Sequence, residues 1–131
     1  MTGRFRSFSF VDRITRRDGG RIEGVYTVPA GVRFPASLMA EAVGQLTAWS
    51  AMAQLDFALR PVAGLANTVH YHLQPRPGCT LQLQADIERC DAEAVAYSGK
   101  ALIGGRLALE LVDSVGPMLA MCKHVLKELD A

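Results

Sequence analysis

The sequence predicts an α+β domain: one curved antiparallel sheet wrapped around a single long central helix, with an extra helix at the C-terminus. Three observations predict it. The stretch from Arg33 to Arg60 is the only long helical pattern in the first hundred residues, and it is apolar nearly all round. After Pro61 the spacing changes to strand-like alternation broken by turn signals. From about Pro117 to Leu129 helical spacing returns. With 131 residues, the chain is read as one domain spanning 1–131, long enough for a real core.

The elements follow in order. Residues 5 to 14 carry alternating bulky side chains and read as a short helix or strand leading into a turn. Asp18-Gly19-Gly20 is a turn signal, and Arg21 to Val28 alternates like a strand. Pro29, Gly31 and Pro35 punctuate a loop, and Pro35 suits the start of a helix, where its missing N–H costs nothing. The helix is expected from Ala36 to about Leu59, with Leu38, Ala42, Leu46, Trp49 and Ala53 at helical spacing. Its many small residues let other backbone come close. A helix so apolar is expected to be buried, with Trp49, Met39 and Met52 in the core.

Residues 62 to 73 form one or two strands, and Gln74 to Gly78 is a break. From Cys79 to Arg89, Leu81, Leu83, Ala85 and Ile87 share one face, with Gln82, Gln84, Asp86 and Glu88 on the other. Asp91 to Glu93 is a turn, 94 to 103 a strand, Gly104-Gly105 a hairpin turn, and 106 to 113 the next strand. In the tail, Met118, Met121, Val125 and Leu129 would share a helical face, giving a second helix at about 117–129.

Composition narrows the function classes. The net charge is +1, so no global field points to nucleic acid. Charge is uneven, however: Arg4, Arg6, Arg13, Arg16, Arg17 and Arg21 fall early, against only Asp12 and Asp18. This cluster is a solvated rim or a docking face for an acidic partner or phosphate. Cys79, Cys90 and Cys122 are odd in number and widely spaced, which argues against a disulfide framework and a zinc site. No signal peptide is evident, and Glu41, Gln45, Gln54 and Asp56 interrupt any membrane span. A reducing, cytoplasmic setting is the expectation.

Three segments, taken in order, resemble the hot-dog fold β-hydroxyacyl-ACP dehydratases of fatty-acid synthesis. Phe10-Val11-Asp12-Arg13-Ile14 resembles the family's opening motif. Pro35 through Gln45 resembles its helix start, with a glutamate and a glutamine one turn apart. Val69 through Glu110, with Tyr71, Pro77-Gly78, Leu81, Leu83, Gly99-Lys100-Ala101 and Gly105, resembles its later strands. The likeness covers about residues 8 to 112.

The resemblance implies a mechanism. A histidine removes the C2 proton of a 3-hydroxyacyl thioester, and a helix carboxylate from the partner subunit assists departure of the hydroxyl. A backbone N–H at the helix start polarises the carbonyl. Carried over, Glu41 matches the carboxylate and Gln45 the glutamine, which makes both the catalytic candidates. Ala36 stands at a glycine position and keeps its N–H, and with Ser37 beside it forms the candidate substrate contact. The histidine does not carry over: its place falls on Thr27, or on Arg33 if Arg33-Phe34-Pro35 is matched to the family's histidine motif. Neither is a usable base near neutral pH, so both stand as substrate-contact candidates only.

His70 and His72 share one strand face and could replace the base, bind metal, or sit on a rim; the rim is favoured. No metal and no cofactor is expected. The function class is acyl-thioester processing, on acyl-ACP or acyl-CoA, of dehydratase type. A thioesterase using Glu41, or a catalytically silent acyl- or carrier-binding subunit, are the alternatives. One sheet around one helix leaves a strand edge and a helix flank open, so a homo-oligomer, dimer or higher, is expected.

Overall fold

A computed structural model describes residues 9–54, 59–61 and 65–120. Seven strands and one helix occur among them. They are β1 (Arg13–Asp18), β2 (Arg21–Thr27), α1 (Ser37–Gln54), β3 (Leu59–Pro61), β4 (Leu65–Tyr71), β5 (Thr80–Cys90), β6 (Ala94–Ile103) and β7 (Arg106–Ala120). All pairings are antiparallel, in the order β1-β2-β5-β6-β7, and both β3 and β4 pair along the far side of β7. The sheet is therefore six positions wide. Its order follows from its turns: each of β1-β2, β5-β6 and β6-β7 is a hairpin, and α1 carries the chain from β2 across to the far edge.

The helix lies on one face of this sheet. Met39, Ala42, Val43 and Leu46 of α1 are buried against Ile22, Leu81, Leu83, Ala85, Ala101, Leu109 and Leu111. The strand alternation expected for Leu81, Leu83 and Ala85 is observed. Small residues make room for the helix. A Cβ on Gly99 would collide with Val43 Cγ1, and one on Gly24 would stand 2.9 Å from Leu46 Cδ1. Glycine at these two positions lets the helix come down close to the strands.

Three expectations need correction. The helix begins at Ser37 and is described to Gln54; its expected end near Leu59 meets strand β3 there, and 55–58 lie outside the described residues. Nor is the helix buried all round. Trp49 is 41% exposed, because the sheet covers one flank of α1 and leaves the other open. Finally, Pro117 to Ala120 belong to β7 rather than to a helix. Ladder pairing of Ala94 to Pro117 on one side and of Leu59 to Ala120 on the other overrides the local helical spacing. Residues 121–129 of the expected helix lie outside the described residues.

Candidate functional site

The opening motif is a clasp. Asp12 N–H donates to Val25 O at 2.8 Å, and its carboxylate Oδ2 accepts from Thr27 N–H at 2.7 Å. This binds the incoming segment to β2. Phe10 follows it into an aromatic cluster, edge-on to Tyr26 at 5.6 Å and to Phe34 at 5.5 Å. Phe34 is buried immediately before the helix start, so this cluster sets where α1 begins. Burial pushes the Tyr26 phenol upward, and Asp12 adds to the shift.

Glu41 and Gln45 lie one turn apart on α1 and face the same flank. Glu41 is exposed in the single chain. Gln45 is half-buried, and its Oε1 accepts from Phe10 N–H at 2.7 Å. Gln45 thus ties the segment before β1 to the helix beside Glu41. At the start of α1, Leu38 N–H and Met39 N–H turn back to Pro35 O and Ala36 O at 3.0 Å each. The N–H groups of Ala36 and Ser37 precede that turn, at the positive end of the helix dipole. Ser37 and Arg33 are exposed, and Ala36 is half-buried.

Thr27 is otherwise engaged. It ends β2, exposed, with its hydroxyl 3.2 Å from that of Thr80 and its N–H held by Asp12.

The histidines face away from the helix. In the β4-β7 ladder Val69 and Tyr71 stand opposite the core residues Leu111 and Leu109, whereas His70 stands opposite Glu110 on the outer face. His72 stacks on His70 at 6.3 Å and shares that face. Both are exposed, as a rim position requires. His124 lies outside the described residues.

The charge of Glu41 is felt beneath the helix by Tyr97, a residue that sequence reading passed over. The Tyr97 hydroxyl lies 3.5 Å from where a Cβ on Gly44 would be, one turn past Glu41. Burial pushes the Tyr97 phenol up, the Ser114 hydroxyl beside it pulls it down, and Glu41 pushes it up again. The missed signal was parity: Tyr97, Gly99 and Ala101 share the helix-facing side of β6.

A separate cleft of about 390 Å³ opens between Arg17, Gly20, Ser50, Gln54 and Arg89. Ser50 is nine residues beyond Glu41, roughly 13 Å along the axis, so this cleft belongs to the other end of the helix. Among the described residues, no group of three or more His, Cys, Asp or Glu side chains could hold a metal ion. Nor is any helix there long and apolar enough to cross a membrane.

No protein-family model and no curated protein matches the sequence. Solved structures do match its shape. The chain is similar to the dehydratase heterocomplex ApeI:P from Xenorhabdus doucetiae, with TM-score 0.66, 14% identity, and 92% and 88% of the two chains covered. It is also similar to the fluoroacetyl-CoA thioesterase FlK, with TM-score 0.67, 16% identity, and 88% and 97% covered. The fold is the hot-dog fold. A hypothetical thioesterase from Streptococcus pneumoniae TIGR4, solved with coenzyme A, is similar as well (TM-score 0.61, 10% identity, 83% and 84% covered). At these identities the hot-dog likeness establishes architecture, and the chemistry has to be argued from the side chains.

Proposed function

We propose that this chain processes acyl thioesters of CoA or a carrier protein, as a cytoplasmic dimer, with Glu41 as its reactive carboxylate. Hydrolysis is the reaction the site suits best. The observation that carries this is the company Glu41 keeps: an exposed carboxylate on the second turn of α1, with both described histidines on the opposite face of the sheet. Dehydration by the family's route needs a base at C2 and an acid at the hydroxyl, and the base positions hold Thr27 or Arg33. Hydrolysis asks less. Glu41 serves as general base to a water or as nucleophile, and the Ala36 and Ser37 N–H groups stabilise the oxyanion. Gln45, fixed by Phe10, holds the water or the carboxylate in place. Thioesterases and a dehydratase both occur among the structural neighbours, in keeping with this class.

The test is turnover of saturated, 3-hydroxyacyl and enoyl thioesters, on CoA and on acyl carrier protein, by wild type and Glu41→Ala. Release of free thiol from saturated substrates, lost in the variant, is the expected result. Hydration or dehydration without hydrolysis would return the reading to the dehydratase type.

A second reading has its own support. The open β4 edge and helix flank suit pairing with a different, active homologue, and ApeI:P is a heterocomplex. The chain would then bind acyl groups and lend Glu41 across the interface. Binding of acyl-CoA by the purified chain, with no turnover of any thioester, is what that reading expects.

A further inference from the structure

The backbone of β7 is strained at one point. Asp113 has φ 53°, the only positive value at a non-glycine among the described residues. Here β7 carries one residue more than β6: Gly99 stands opposite Leu111 and Tyr97 opposite Ser114, so two residues separate one pair on β7 and one separates it on β6. The arrangement is a β-bulge. Asp113 N–H donates to Ser98 Oγ at 3.3 Å, and Ser98 Oγ in turn donates to Glu88 at 2.9 Å, which steadies it.

The bulge has a consequence for side chains. Leu111 faces the helix and is buried. Regular alternation from it would bring Asp113 inward and turn Ser114 outward. The extra residue reverses this and puts Ser114 inside, 2% exposed, beside Tyr97. Its Oγ is buried with no well-formed hydrogen bond, alone in this among the described side chains. The Tyr97 hydroxyl beside it is a loose contact only, and a buried hydroxyl kept so poorly bonded costs stability and calls for a reason. The fold thus accepts a strained residue and an unsatisfied hydroxyl, and both serve to bring Ser114 next to a tyrosine that senses Glu41.

We infer that Tyr97 is a further functional side chain of the Glu41 site, presenting its hydroxyl as a hydrogen-bond donor to the acyl group bound there, and that Ser114 is the residue that positions it. This rests on the reading of the site as an acyl-thioester site. Above Tyr97 the helix carries Gly44, and the phenol hydroxyl lies 3.5 Å from where a Cβ there would stand, one turn past Glu41. Burial keeps the phenol protonated at neutral pH, which leaves it a donor.

The experiment compares wild type, Tyr97→Phe and Ser114→Ala. Binding is measured with the non-hydrolysable thioether analogue of decanoyl-CoA, turnover with decanoyl-CoA, and stability by thermal unfolding. For Tyr97→Phe, kcat falls by about tenfold or more with KM little changed, and the analogue-induced tyrosine absorbance change of wild type disappears. For Ser114→Ala, Tm rises because an unsatisfied buried hydroxyl is removed, while kcat falls and Ser114→Thr restores part of it. A merely structural pair gives a different pattern: Tm moves in both variants and kcat stays at the wild-type value, which overturns the inference alone. Absence of both binding and turnover in folded wild type overturns the acyl-thioester reading and this inference with it.

Discussion

Gly99 determines how near the helix lies to the sheet, because any Cβ there runs into Val43 and stands 2.9 Å from Gln84 O. Neither neighbour can yield easily: Val43 is fully buried and Gln84 O belongs to the β5 backbone. Gly99→Ala is therefore expected to cost about 1–3 kcal/mol, measured by chemical unfolding, whereas an alanine at the exposed Gln82 leaves stability within about 0.5 kcal/mol. Asp91 is a second residue with a definite signature. Its carboxylate accepts from Glu93 N–H at 2.8 Å and Ala94 N–H at 3.1 Å and pairs with Arg89, closing the β5-β6 hairpin. The Arg89 hydrogen bond first, then the two backbone N–H groups, hold its pKa at about 2 against an ordinary 3.8. The unfolded chain therefore binds the proton more readily, and this contribution is whole above about pH 4 and lost as pH falls towards 2. Asp91→Asn is expected to flatten the stability profile across that window while leaving its shape above pH 5 unaltered.

The helix and the segment before β1 act as one element. Gln45 holds Phe10 by its backbone, and Phe10 holds Tyr26 and Phe34 by its ring. Gln45→Ala leaves the Phe10 N–H without that acceptor, at a cost of about 1–3 kcal/mol. Faster hydrogen exchange at Phe10 and Val11, with little change at Leu83 or Ala101, is the expected mark of a local loss. Most elements could be read from the sequence because their signals are local. The alternation through Leu81, Leu83 and Ala85, the Asp18-Gly19-Gly20 and Gly104-Gly105 turns, and the Pro35 helix start all appear where they were expected. What escaped reading is non-local. The length of β7 depends on partners at Ala94 and Leu59, and the bulge at Asp113 is steadied by a hydrogen bond from its N–H to Ser98. For the same reason the inward turn of Ser114 could not be read from alternation: a one-residue insertion inverts every side chain after it.

At the scale of the molecule, the fold is unfinished on one side. Trp49 is 41% exposed on the open flank of α1, while Tyr71 is 50% and Val69 37% exposed on the helix-facing side of the edge strand β4. The sequence pattern placed Trp49 inside because an apolar helix belongs in a core. Among the described residues the sheet covers only one flank, which leaves an apolar face on the other. We propose that β4 and this flank form the dimer interface. Tyr71→Asp is expected to shift the sedimenting species from dimer towards monomer, whereas Gln82→Asp, at an exposed position on β5 with β6 and β7 between it and β4, leaves it unchanged. The central claim concerns Glu41 itself. Its most direct test is kcat/KM for saturated acyl-CoA hydrolysis by wild type and Glu41→Gln, which keeps the side chain's shape but removes the base. A loss of about a hundredfold or more, with the thioether analogue still bound, is the predicted result; hydrolysis at the wild-type rate in Glu41→Gln would contradict the account.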